Sequence, residues 1–194
     1  MRKLIYFVGM SLDGYIAGPG DEVDFFPLGD DFRDWLCSEY PETLPTHVRP
    51  HVGLAADTPN RHFDTVVMGR NTYRPALSLG IVSPYAHLRQ YVVSGSLEPV
   101  DDPAVEIVSG DPVDLVRRLA AEPGPEGRDI WLAGGGTLAA QLLGDIDELV
   151  VKSYPVVAGG GIPAFVDGFG PTAFAPIARR EFADGTQVSW FARG

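Results

Sequence analysis

Short apolar runs separated by glycine and aspartate turns set the rhythm of this chain. KLIYFVG, residues 3–9, is rich in β-branched and aromatic side chains and predicts a buried strand. Strong turn signals follow at Asp13-Gly14 and Gly18-Pro19-Gly20. In GDDFRDWLCSEY, residues 29–40, Phe32, Trp35, Leu36 and Tyr40 recur at helical spacing and predict a helix of about three turns. Residues 41–62 carry Pro41, Pro45, Pro50 and Pro59 with little periodicity, so an irregular insertion is expected there, with a short helix around residues 51–56. Order returns in DTVVMG (64–69), a strand, and RNTYRPAL (70–77), a short helix. Two more strands are expected at 90–97 and 105–110.

Asp111 then opens an amphipathic helix with Val113, Leu115, Val116 and Leu119 on its apolar side, ended by PGPEG at 123–127. DIWLAGGG (129–136) reads as a strand running into a glycine turn, and TLAAQLL continues it as a helix. ELVVKSYPVV (148–157) predicts a long strand, and RREFADGTQVSWFAR (179–193) a hairpin about Asp184-Gly185. Strands alternating with helices imply an α/β protein. Its central sheet should be mostly parallel, with helices on both faces and a C-terminal antiparallel hairpin. No repeat or boundary divides residues 1–194, which are expected to form a single domain.

Composition narrows the function. With 45% hydrophobic and 21% charged residues the chain has the make-up of a soluble globular protein, and its apolar runs are too short to span a bilayer. Cys37 is the only cysteine, so no intramolecular disulfide or cysteine metal cage can form, and a cytoplasmic protein is expected. A net charge of −11 disfavours nucleic acid and anionic membranes. A phosphorylated ligand would have to be held locally, by helix N-termini and a few placed cations. His47, His51 and His62 lack the spacing of a zinc pair, so no metal is expected.

Three strand ends carry candidate chemistry. In VVMGRNTY, Gly69 permits close approach, and Arg70, Asn71 and Thr72 occupy a first helical turn whose free amides favour phosphate. An ordinary helix start with a solvent-facing arginine explains the same residues. In IWLAGGGTLA, Gly134, Gly135 and Gly136 before Thr137 expose backbone amides, although glycines at such turns also serve tight packing. In VVSGSL, Ser94 and Ser96 offer hydroxyls for a ribose or phosphate, or simply form a turn.

The order SLDGYIAG, VVMGRNTY, YVVSGSL, DIWLAGGGTLAAQLL, DELVVKSYPVVAGGGIPAF resembles the dihydrofolate reductase superfamily over nearly the whole chain. Within it, the chain is most similar to stand-alone bacterial proteins related to the C-terminal reductase domain of the riboflavin-biosynthesis deaminase-reductase. The resemblance implies a dihydrofolate reductase-like fold binding NADPH across the carboxyl edge of its sheet. Arg70, Asn71 and Thr72 would then meet cofactor phosphates, and Gly135, Gly136 and Thr137 the pyrophosphate, with Gly69 and Gly134 alongside. Ser94 and Ser96 would lie by the adenosine, Ile16 and Ala17 over the nicotinamide, and Gly9 beneath it.

The implied activity is NADPH-dependent reduction of a small pterin- or pyrimidine-like heterocycle, in the manner of 5-amino-6-(5-phosphoribosylamino)uracil reductase. A true dihydrofolate reductase and an NADPH-binding protein without turnover are the alternatives. Asp31 falls nearest the acidic residue that dihydrofolate reductases carry in the first helix, and is the candidate proton donor. First helical turns also attract aspartate for electrostatic reasons alone. Asp13 is expected to organise its own loop. Lys152 interrupts an apolar strand and either reaches the substrate cleft or faces solvent. Riboflavin-type relatives pair as homodimers, and the strand at 149–157 would offer an apolar edge for this.

Overall fold

In the computed structural model, which describes residues 1–125, 127–166 and 170–194, the alternation of the first strand sorts two cores. Strand β1 (Leu4–Met10) turns Ile5 and Phe7 to one side and Leu4, Tyr6 and Val8 to the other. The chain continues through β2 (Tyr15–Ala17), α1 (Asp30–Glu39), β3 (Phe63–Gly69), α2 (Arg70–Ser78), β4 (Arg89–Val93) and β5 (Val105–Val108). It then forms α3 (Pro112–Ala121), β6 (Asp129–Gly134), α4 (Gly136–Gln141), β7 (Glu148–Ser153), β8 (Ile162–Pro163), β9 (Phe174–Glu181) and β10 (Gln187–Arg193). The expected turn at 123–127 includes residue 126, which lies outside the described residues.

Eight strands make one sheet in the order β5-β4-β3-β6-β1-β7-β10-β9, and β2 pairs with β8 separately. From β5 to β7 every pairing is parallel; β10 and β9 add the antiparallel hairpin. Helices cover both faces. Phe32, Trp35 and Leu36 of α1 and Tyr73 of α2 bury against Phe7, Met68 and Val150. Leu115, Val116 and Leu119 of α3 and Leu138 of α4 bury against Tyr6, Val67 and Leu132. Strands buried on both faces explain why their sequences read as unbroken apolar runs.

Several expected boundaries change. Strand β7 stops at Ser153, because Pro155 has no amide to continue a ladder. It lies between β1 and β10, so the apolar edge proposed for dimer contact at 149–157 does not exist; the free edges are β5 and β9. Strand β4 ends at Val93, and Ser94 already belongs to a turn. The hairpin closes where expected, with Gly185 at φ +87° and the Asp184 carboxylate accepting from Thr186 N at 2.8 Å.

Residues 41–62 form no α-helix; the short helix expected around 51–56 is instead a 3-10 helix at Arg49–Val52, preceded by another at Pro41–Thr43. Two charged residues with no exposed surface organise this segment. The Glu42 carboxylate accepts from the backbone amides of His62 (2.6 Å), Phe63 (3.0 Å) and Arg61 (3.2 Å). Arg49 donates to the carbonyls of Pro41 (3.1 Å), Ala56 (3.2 Å) and Thr58 (3.4 Å). His87 donates from Nε2 to Glu42 O at 2.8 Å and accepts at Nδ1 from the Thr46 hydroxyl at 2.9 Å. Burial pushes the His87 pKa down to about 4, so the ring stays neutral in these bonds.

Candidate functional site

Strands β3 and β6 are neighbours, yet α2 leaves β3 for one face of the sheet and α4 leaves β6 for the other. Such a divergence opens a crevice at the carboxyl ends of the two strands, where open α/β sheets bind ligands. A cleft of about 720 Å³ lies there. That volume is within the roughly 300–1,000 Å³ usual for small-molecule sites.

Neither helix start carries a side-chain cap: Gly69 precedes α2 and Gly135 precedes α4. Uncapped first-turn amides present partial positive charge. Gly69, Arg70, Asn71 and Thr72 line the cleft from one helix start, and Gly135, Gly136 and Thr137 from the other. Gly136 has a second reason to be glycine, since a Cβ there would stand 2.1 Å from Pro163 O. Gly134 is buried at φ +108° and makes the turn without lining the cleft.

The Arg70 guanidinium donates to Ser96 Oγ at 2.8 Å, which holds a formal charge at the carboxyl edge of β4. Ser94 is placed differently from its expected role. It is buried, and its hydroxyl accepts from Ser96 N (3.2 Å) and Leu97 N (3.0 Å), so it builds the turn. Ile16 and Ala17 reach the cleft from β2, which β8 holds in place. Gly161 lets that pairing close: it sits at φ +141°, and a Cβ would meet Ala17 O at 2.2 Å. Gly9 lines the cleft floor, where a Cβ would come within 2.8 Å of the Tyr154 ring.

The two aspartates separate. Asp13 accepts from Ser11 Oγ (2.6 Å), Ala158 N (2.9 Å) and Gly159 N (2.8 Å), bonds that hold its pKa down to about 2. It ties the β1–β2 turn to the glycine-rich loop after β7. Asp31 is exposed and does not line the cleft. Its carboxylate accepts from Ala183 N at 2.9 Å, while Asp184 accepts from Gly29 N at 2.9 Å. These reciprocal bonds clamp the start of α1 to the terminal hairpin. The proton-donor expectation for Asp31 therefore gives way to this structural role.

The opposite half of the cleft is apolar and was not legible as a site. Phe7, Leu36, Leu44, Tyr85 and Trp131 line it, with Thr43 and Leu44 supplied by the irregular segment. Into it projects Lys152, two residues along β7 from Val150 and so on the same face of the sheet. Its Nζ stands 4.3 Å from the centre of the Phe7 ring, and removal from water lowers its pKa to about 8.

Comparison with known proteins agrees with this architecture. The sequence profile described as the RibD C-terminal domain matches residues 2–188. Two Bacillus subtilis (strain 168) proteins are similar: Uncharacterized protein YwjB, 28% identical over 97% of each chain, and Uncharacterized protein YyaP, 26% identical over 86% of this chain and 81% of that one. A putative riboflavin biosynthesis protein from Shewanella sp. PV-4 superimposes over 100% of this chain and 99% of its own, with a TM-score of 0.71 and 25% identity. The Thermotoga maritima diaminohydroxyphosphoribosylaminopyrimidine deaminase/5-amino-6-(5-phosphoribosylamino)uracil reductase superimposes at a TM-score of 0.64 and 14% identity. This chain covers 57% of that bifunctional protein and shares its reductase-like fold. The chain thus belongs to the RibD C-terminal domain family.

Proposed function

We propose that this protein is an NADPH-dependent reductase of a small heterocycle. The observation that carries the reading is the division of one cleft into two halves. On one side, two uncapped helix starts and Arg70 offer amides and charge suited to a pyrophosphate and an extra phosphate. On the other, aromatic walls and a single ammonium suit a planar ring. The family and the Shewanella neighbour support a reductase of the riboflavin-pathway type.

A bound reduced nicotinamide would supply hydride. The residues of this chain do the rest. Gly69–Thr72 and Gly135–Thr137 bind and orient the anionic part, Ile16 and Ala17 wall the cleft from β2, and Gly9 lets the Tyr154 ring close up against the cleft floor. The atom left electron-rich after reduction needs a proton, and the Lys152 ammonium is the cation in the cleft's apolar half positioned to give it. The alternative of a true dihydrofolate reductase loses its support with Asp31, whose carboxylate is committed to Ala183.

Calorimetric titration tests the cofactor half. NADPH should bind more tightly than NADH, and Arg70→Ala should weaken NADPH by about 1–3 kcal/mol while leaving NADH nearly unchanged. Equal affinities for both dinucleotides, insensitive to the substitution, would remove the basis for the assignment.

A further inference from the structure

The irregular segment 41–62 reaches the cleft without a part in the proposed chemistry, and the way it is fastened shows what it contributes. Thr43 and Leu44 line the cleft from one stretch of chain and Tyr85 from another. Each stretch is tied to the start of a different strand. The Glu42 carboxylate holds the amides of His62 and Phe63 at the start of β3. Gln90, buried in β4, accepts from Tyr85 N at 3.0 Å and donates to Ser83 Oγ at 2.8 Å. The bonds between the two stretches converge on His87 and Thr46. His87 Nε2 donates to Glu42 O at 2.8 Å, and the Thr46 hydroxyl donates to His87 Nδ1 while accepting from Ala86 N, both at 2.9 Å. Thr46 N donates to Pro84 O at 2.7 Å, and Asn60 Nδ2 to His87 O at 2.9 Å. A carbonyl can only accept, so His87 Nε2 carries the ring proton, and in a neutral ring Nδ1 is then an acceptor. Burial lowers the pKa of this ring, the bond to Glu42 O raises it and the Arg49 charge lowers it again, which leaves the ring uncharged near neutral pH. A lid, by contrast, needs few and weak joints to the body it closes on.

We propose that His87 is a positioning residue whose imidazole ties residues 42–46 to residues 84–87, so that segment 41–62 is a rigid wall of the cleft rather than a lid over it. The tie fixes Leu44 relative to Tyr85, and with them the size of what the cleft admits. That the wall selects a substrate rests on the reductase reading; that His87 sets the wall does not. Trp131 is the natural reporter, because it lines the cleft and stands edge-on to Tyr85 with ring centres 5.0 Å apart.

The whole wild-type chain gives the first test. Long-range proton–nitrogen NMR near neutral pH should find the His87 ring uncharged with its proton on Nε2; a charged ring or a proton on Nδ1 would overturn the proposal, and no variant is needed. Two substitutions give the second. His87→Gln keeps a donor near the place of Nε2 and loses the acceptor, while Thr46→Val removes the hydroxyl and keeps the ring. In hydrogen–deuterium exchange each should speed the Thr46 and Ala86 amides about fivefold, the size of one hydrogen bond, beyond any change in β1. With 5-fluorotryptophan incorporated, the fluorine resonance of Trp131, assigned by Trp131→Phe, should shift or broaden in both variants more than those of Trp35 and Trp190. Exchange that rises equally throughout the chain would reduce His87 to general stabilisation, and an unmoved Trp131 resonance would separate the tie from the cleft; either result overturns the proposal. None of these measurements uses a cofactor. Failure of NADPH to bind would sink the reductase reading and leave the wall standing, and failure here would leave the cofactor half of the cleft as it is.

Discussion

Lys152 shows how a side chain that reads as an interruption becomes a feature of the site. In the sequence it is a charge within an apolar strand; in the fold its alternation with Val150 turns it into the cleft. Its lowered pKa has a stability consequence. An unfolded lysine keeps its proton to about 10.5, whereas the folded one releases it near 8. The folded state is therefore penalised fully below pH 8, and the penalty fades as pH rises toward 10.5. Lys152→Met should stabilise the protein at pH 7 by an amount on the order of 1–3 kcal/mol. In urea unfolding that advantage should shrink between pH 8 and 10.5; a constant difference would mean the gain comes from packing instead. Asp31 carries the opposite lesson. Asp31→Ala should cost about 1 kcal/mol of stability by loosening the hairpin clamp, with NADPH affinity unchanged. A large loss of affinity would restore the acid to the cleft.

Among the elements, those with strong periodicity or punctuation were legible and the short or oddly stabilised ones were not. Asp111 was read as the start of α3, and it caps that helix by accepting from Val113 N at 2.8 Å. The glycine turns before α2 and α4 were read from their sequence alone. Strands β2 and β8, three and two residues long, give no pattern to read. The first half of β9 escaped because the strand is exposed along nearly its whole length and contains Pro176. The segment 41–62 was read as irregular because its organisers are Glu42 and Arg49, residue types that ordinarily mark solvent. Glu42→Ala should lower stability by about 2–4 kcal/mol, since it strands the buried amides of His62 and Phe63 and leaves Arg49 without a nearby negative charge. Urea unfolding checks this; a loss under 1 kcal/mol, smaller than a single unsatisfied buried group, would show that water enters and replaces the carboxylate.

At the scale of the whole molecule, the fold creates the site through the divergence of two helices from adjacent parallel strands. That divergence was implied by strand–helix alternation, but the strand order behind it rests on contacts far apart in sequence, such as β3 with β6. Among the described residues no helix is long and apolar enough to cross a membrane. The aromatic half of the cleft brings together Phe7, Leu36, Leu44, Tyr85 and Trp131 from five separate stretches of chain. Their proximity could not be read from any local pattern.

The central claim, that the crevice between β3 and β6 is a dinucleotide site, is tested most directly by hydrogen–deuterium exchange with and without NADPH. At about 100 times its dissociation constant the ligand adds about 2.7 kcal/mol to the native state. Local protection beyond that global effect should concentrate at Gly69–Thr72, Gly135–Thr137 and the Tyr15–Ala17 strand. No protection, or protection confined to β9 and β10 on the far edge of the sheet, would contradict the account.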